Sequence, residues 1–163
     1  MSFQITEFTS YADVRAALGV SEDDLEDGTL ELDLYADMLE VEFEDVSATF
    51  LTTYAAAQAT DTPTEAQARF LKATRLFSTY AIAKHLTASL PLFAAKDVTD
   101  SKASVTRFDS PYRDTVKSVL DQYGRMRNRL ATALAALAAP TTLSVAKTYF
   151  AAVSPATDPI TGS

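Results

Sequence analysis

Apolar residues recur along this chain at helical spacing, interrupted at a few points by turn chemistry. A short first helix is predicted after Thr9 or Ser10, either of which can cap it. It carries Tyr11, Val14, Ala17 and Leu18, and Gly19 stands at the C′ position. An acidic turn, Ser21-Glu22-Asp23-Asp24-Leu25-Glu26-Asp27-Gly28, precedes the next element. Negative charge at the start of a helix is favoured by its dipole. From about Thr29 to Ala59 the positions Leu32, Tyr35, Leu39, Phe43, Val46, Phe50 and Tyr54 follow one helical stripe, which predicts a single long helix. A second stripe, Leu30, Leu34, Met38 and Val41, predicts burial on a second side. The remaining face stacks Asp33, Asp37, Glu40 and Glu44. Each such like-charge pair costs ~0.2–0.5 kcal/mol when exposed, so packing or cations must compensate.

Asp61-Thr62-Pro63-Thr64-Glu65 is a break and restart, with Thr62 as the expected cap, Pro63 at N1 and Glu65 at N3 of a capping box. The third helix carries Phe70, Ala73, Phe77 and Tyr80, with Leu71, Ile82 and Leu86 beside them, and is expected to stop near Pro91. Residues 96–108 lose the helical period, which predicts an extended loop or short strand. Asp109 or Ser110 then caps a last long helix opened by Pro111 and ended by Pro140. Its stripe is Tyr112, Val116, Val119, Tyr123, Met126, Leu130, Leu134 and Leu137. Gly124 interrupts this helix, an expected mark of close packing or a bend. The expected fold is therefore all-α: a small bundle of three long helices and a short N-terminal one over 1–140, followed by an arm over 141–163. In that arm, Leu143, Val145, Tyr149 and Phe150 belong to a stretch that favours strands. It either folds back on the bundle or adds to another protein.

Composition sharpens this picture. No apolar run approaches the ~18–20 residues that a membrane span requires, and the opening MSFQITEFTSYADV has neither the basic start nor the apolar run of a secretory signal. Cysteine is absent, which removes disulfides, thiol catalysis and thiolate metal sites. The net charge of −8 conceals an asymmetry: residues 1–62 hold 15 acids and one base, Arg15, whereas residues 63–163 hold 7 acids and 13 bases. An acidic total argues against general nucleic-acid binding. Its polarity suggests two surfaces that mate, within a subunit or between neighbours, as against two faces that are simply solvated.

Candidate chemistry is sparse. His85 is the only histidine, with no acid three or four positions away, so no His/Cys triad, HExxH motif or multi-His metal site can be written, and it reads as a polar core or interface residue. A calcium loop starting at Asp23 would place Gly28 correctly, but Leu25 and Leu34 stand where acids are needed. Two acids can always converge in space, yet the acids here lie in a helical run that reads as a solvated or partner-facing surface. Arg125, Arg127 and Arg129 can touch phosphates, although an ion pair or subunit contact suits so acidic a chain better. No catalytic residue, cofactor or metal ligand is expected.

Four features resemble the head–tail adaptor (connector, or head-completion) proteins of tailed bacteriophages. The opening from Tyr11 to Leu30, with Leu18-Gly-Val-Ser21 and an acidic turn before a long helix, looks like the start of that family. An aromatic-rich central helix follows. Asp100-Ser-Lys-Ala-Ser-Val-Thr-Arg-Phe108 is similar to the family's polar segment before its last helix, and Tyr123-Gly124-Arg125 with Leu130 resembles its signature there. The likeness covers about residues 8–138. The rather long middle helix and acidic first half depart from the family pattern. The resemblance implies a structural virion protein, made in the bacterial cytoplasm. It would form a ring, commonly of twelve subunits, docked beneath the portal protein, extending the DNA channel and offering tail proteins a platform. Double-stranded DNA would pass without sequence-specific binding, and the arm with Leu143, Val145, Tyr149 and Phe150 would reach into the portal.

A ring needs one face of a subunit to meet a different face of the next. Asp33, Asp37, Glu40 and Glu44 against Arg113, Lys117, Arg125 and Arg129 are the candidate pair. Acids left facing the channel would instead repel DNA phosphates. The reading from another class is an acidic helical binding module, a regulator or DNA mimic, without catalysis.

Overall fold

Ser10 begins the first helix: its hydroxyl accepts from the Asp13 amide at 3.1 Å, and Gly19 closes the helix in the left-handed region at φ 71°. In this computed structural model, residues 3–88, 97–100, 103–106 and 113–138 are described. A 3-10 turn, Ile5–Glu7, leads into α1, Tyr11–Leu18. It is followed by α2, Asp27–Leu30; α3, Asp33–Val46; α4, Phe50–Gln58; and α5, Glu65–Leu86. Strands β1, Asp97–Asp100, and β2, Ala103–Thr106, pair antiparallel with Val98 opposite Val105. The last described element is α6, Arg113–Ala138. Among the described residues the architecture is all-helical, with one small hairpin.

The long helix expected over 29–59 is three helices. Leu32 is extended at ψ 130° and separates α2 from α3. Ser47 is extended at φ −167°, and its hydroxyl accepts from the Thr49 amide at 3.2 Å. That local bond competes with the helical ladder and ends α3. The Thr49 carbonyl then accepts from both the Thr52 and Thr53 hydroxyls at the start of α4. Because Val46 and Phe50 stay in phase across the break, both halves face the same core and the stripe reads straight through it.

The α5 cap also differs from expectation. Thr64 is the cap, accepting from the Gln67 amide at 3.3 Å while the Gln67 side chain accepts from the Thr64 amide at 2.8 Å. Gln67 can complete this reciprocal pair, so the box sits two residues later than the Thr62/Glu65 reading. Glu65 becomes the first helical residue and pairs with Arg69. α5 ends at Leu86, ahead of the expected limit near Pro91. The expected caps Asp109, Ser110 and Pro111, the stop at Pro140 and the arm 141–163 lie outside the described residues.

α5 is the central helix. Phe70, Phe77, Ala81, Ile82, Ala83 and Leu86 are buried, and α6, α1, α3 and α4 all pack on it. Its buried hydroxyls bond back to their own helix, Thr74 to the Phe70 carbonyl and Ser78 to the Thr74 carbonyl. Thr79 donates to the Arg75 carbonyl, so Thr9 is the donor in the 2.7 Å bond that ties the N-terminal segment to α5. An aromatic cluster fills the interior: Phe43 stacks on Phe50 with centroids 4.2 Å apart and also meets Phe8 and Phe77. Arg15 is buried and clamps the acidic turn, donating to the Leu25 carbonyl at 2.7 Å and pairing with Asp27.

Two expectations about packing fail. Leu30 is buried, but Leu34 and Val41 are 54% and 57% exposed, so α3 is covered by its own chain on one side only. Gly124 does not mark tight contact: a Cβ there would meet nothing within 4 Å, and α6 runs through it.

Candidate functional site

Glu42 is the most constrained ionised group in the described chain. It lies on the core side of α3 between Leu39 and Phe43, and its residue is only 6% exposed. A carboxylate there must be held by donors, because burying an unpaired charge is costly. Lys84 donates to Oε1, His85 Nε2 donates to the same oxygen at 3.2 Å, and the Tyr123 hydroxyl donates to Oε2. The carboxylate accepts only, so His85 carries a proton on Nε2. Lys84 also lies over the Tyr123 ring, 4.2 Å from its centroid. Burial alone would raise the Glu42 pKa, but the bonds from His85, Lys84 and Tyr123 together bring it down to about 2. Burial, and after it the Glu42 bond, pushes Tyr123 up to about 12.

This network joins α3, α5 and α6 at one point. Sequence reading missed it by taking the exposed column of acids and passing over the one acid inside the apolar stripe. Glu42, three residues after Leu39 and next to Phe43, was the available signal. The same reading found no acid near His85 along its helix; the partner comes from α3 instead. Both Glu42 oxygens are engaged, so the network is built to hold three helices together.

The surface groups are placed differently. Asp33, Asp37 and Glu44 are exposed and Glu40 half-exposed on α3. Among the described residues no ion pair engages any of the four. The two charged halves of the chain do meet elsewhere, through Asp13–Arg75, with Nε and Nη2 donating to Oδ2 at 2.9 and 2.6 Å, and through Glu42–Lys84. Beside the acidic column, Leu34 and Val41 form an exposed apolar ridge with half-buried Met38.

Arg113, Lys117, Arg125 and Arg129 are all exposed on α6 and unpaired among the described residues. They do not form one face. Arg113 and Lys117 lie a turn apart beside exposed Leu120. Arg125 and Arg129 form a second pair about 120° around the helix at 3.6 residues per turn. Arg129 borders a groove between α5 and α6 that Arg69 and Lys72 also line. At that angle the two pairs present different sides of α6.

No protein-family model, curated protein or solved structure matches this chain. Among the described residues no group of three or more His, Cys, Asp or Glu side chains is placed to hold a metal ion. No described helix is long and apolar enough to cross a membrane. The arm residues Leu143, Val145, Tyr149 and Phe150 lie outside the described residues.

Proposed function

We propose that this protein is a non-catalytic assembly subunit, a head–tail adaptor that forms a ring beneath the portal of a tailed bacteriophage. The observation that carries the reading is the outer face of α3: Asp33, Asp37, Glu40 and Glu44, unpaired among the described residues, run beside exposed Leu34 and Val41. Charge alone would keep such a face solvated. Large apolar side chains next to unpaired charge are what a partner surface needs. The two unpaired basic pairs on α6 supply surfaces of opposite sign, as a head-to-tail ring requires. The motif likeness over 8–138 supplies the identity of the assembly, with the portal and tail proteins as partners and the 141–163 arm as the portal contact. The head–tail interface of the virion is then the site of action.

A stand-alone acidic DNA mimic is the competing reading. The same face disfavours it, since a mimic of phosphate charge gains nothing from Leu34 and Val41 in the open. Co-sedimentation with portal rings encoded by the same genome tests the proposal. The intact chain is expected to travel with the rings, and a chain lacking 141–163 to stay behind. An intact chain that remains in the supernatant overturns the reading.

A further inference from the structure

The groove between the first turns of α5 and the last turns of α6 is lined by small side chains, with Ala73 buried, Ala66 and Ala133 half-buried and Ala136 exposed. Its rims carry Arg69, Lys72 and Glu65 on the α5 side and Arg129 with Thr132 on the α6 side, so bases outnumber the one acid. Among the described residues Arg69 pairs with Glu65 alone, one turn earlier on its own helix, an exposed contact worth ~0.3–0.5 kcal/mol. Lys72 and Arg129 have no ion pair among the described residues. Small side chains between two helices leave space for large ones from elsewhere, and the rims favour an acidic visitor.

α3 carries the complementary relief. Leu34, Met38 and Val41 form its ridge, with Asp33, Asp37, Glu40 and Glu44 along one flank and exposed Asp45 continuing the line of the ridge one turn beyond Val41. At 1.5 Å per residue the ridge from Leu34 to Val41 is ~10 Å long, and so is the α6 wall from Arg129 to Ala136. The one acidic flank is opposite in sign to the groove's bases, and the ridge's large side chains match the groove's small ones in size.

We propose that α3 of a second copy seats its Leu34–Met38–Val41 ridge in the α5/α6 groove, its acidic flank lying along the rim that carries Arg69 and Lys72. The two surfaces lie apart on one chain. α3 is fixed to α5 near Lys84, ~22 Å along the helix from Arg69. One copy therefore offers its ridge and its groove to different neighbours, and the contact is head-to-tail. The inference rests on the assembly reading only in treating the chain as self-associating; it names the surfaces and does not depend on the portal.

The natural absence of cysteine makes the contact directly readable. Val41→Cys and Ala136→Cys are prepared separately, checked for helical content, mixed and oxidised. The expected product is a mixed disulfide dimer at least tenfold above that from either variant alone, or from Ala136→Cys mixed with Ala56→Cys. Adding Lys72→Glu and Arg129→Glu to the Ala136→Cys chain should remove it. Mixed dimer no more abundant than with the Ala56→Cys control overturns the inference. So does an internal disulfide in a chain carrying Ala136→Cys and Tyr149→Cys, which would place the chain's own arm in the groove. Portal binding without the cross-link leaves the adaptor reading standing and removes this contact. The cross-link without portal binding does the reverse.

Discussion

Lys84 and Tyr123 meet twice: the ammonium lies 4.2 Å from the centre of the tyrosine ring, and both groups donate to the buried carboxylate of Glu42. Each contact orients the other. The ring holds Lys84 where its charge offsets that of Glu42, and the carboxylate fixes the ring between α5 and α6. Phe77 packs against the same ring at 5.7 Å, linking the polar network to the aromatic core.

Glu42→Gln should therefore destabilise the fold by about 2–3 kcal/mol, less than the ~3–5 kcal/mol of a fully buried ion pair, because Lys84 and His85 keep some access to water. Urea unfolding followed by circular dichroism measures this. Glu44→Gln, on the exposed side of the same helix, should change stability by less than about 0.5 kcal/mol.

The same network sets the acid limit. Glu42 is held down to about 2 from an ordinary 4.5, so the stability it contributes is present above pH 4.5 and is lost as pH falls through the folded value. The unfolding midpoint should fall between pH 4.5 and 2, and Glu42→Gln should flatten that part of the profile. At the alkaline end Tyr123 has the opposite sign. Its folded value is raised to about 12, so its contribution is present below pH 10 and lost as pH rises toward 12. Ultraviolet titration of the wild type should show a tyrosine ionising near 12 that Tyr123→Phe removes.

Two glycines should respond in opposite directions. Gly19 closes α1 at φ 71°, so Gly19→Ala should cost about 1 kcal/mol although the site has open space. Gly124 lies inside α6 with nothing near a new Cβ, so Gly124→Ala should stabilise by about 0.5–1 kcal/mol. Thermal unfolding of the pair checks both signs.

Phe43 is the hub of the aromatic cluster, fully buried and touching Phe3, Phe8, Phe50 and Phe77. Phe43→Ala should cost about 3–5 kcal/mol, whereas Phe43→Leu should cost less because it leaves a smaller void. Denaturant midpoints at constant slope would show that both act on stability alone.

The helical class, an α1 cap at Thr9 or Ser10 with its glycine stop, and the core positions Leu39, Phe43, Phe50, Phe70 and Phe77 were legible in the sequence. Local chemistry and period fix those features. The break at Ser47 was not, because the apolar phase continues through it and only a hydroxyl bond shows the chain turning extended. The exposure of Leu34 and Val41 was hidden for a related reason: period reveals that a side chain is apolar, and says nothing of whether the chain that covers it is its own. Glu42 and His85 lie 43 residues apart, and their meeting depends on how α3 crosses α5. That crossing is tertiary, and no spacing rule along one helix contains it.

Electron microscopy of the intact protein mixed with portal rings from the same genome tests the assembly account most directly. An added layer of density on one end of the portal, absent when Asp37, Glu40 and Glu44 are all changed to lysine in a chain that still folds, is the predicted result. Bare portal rings beside free protein, at concentrations well above those of the rings, would contradict it.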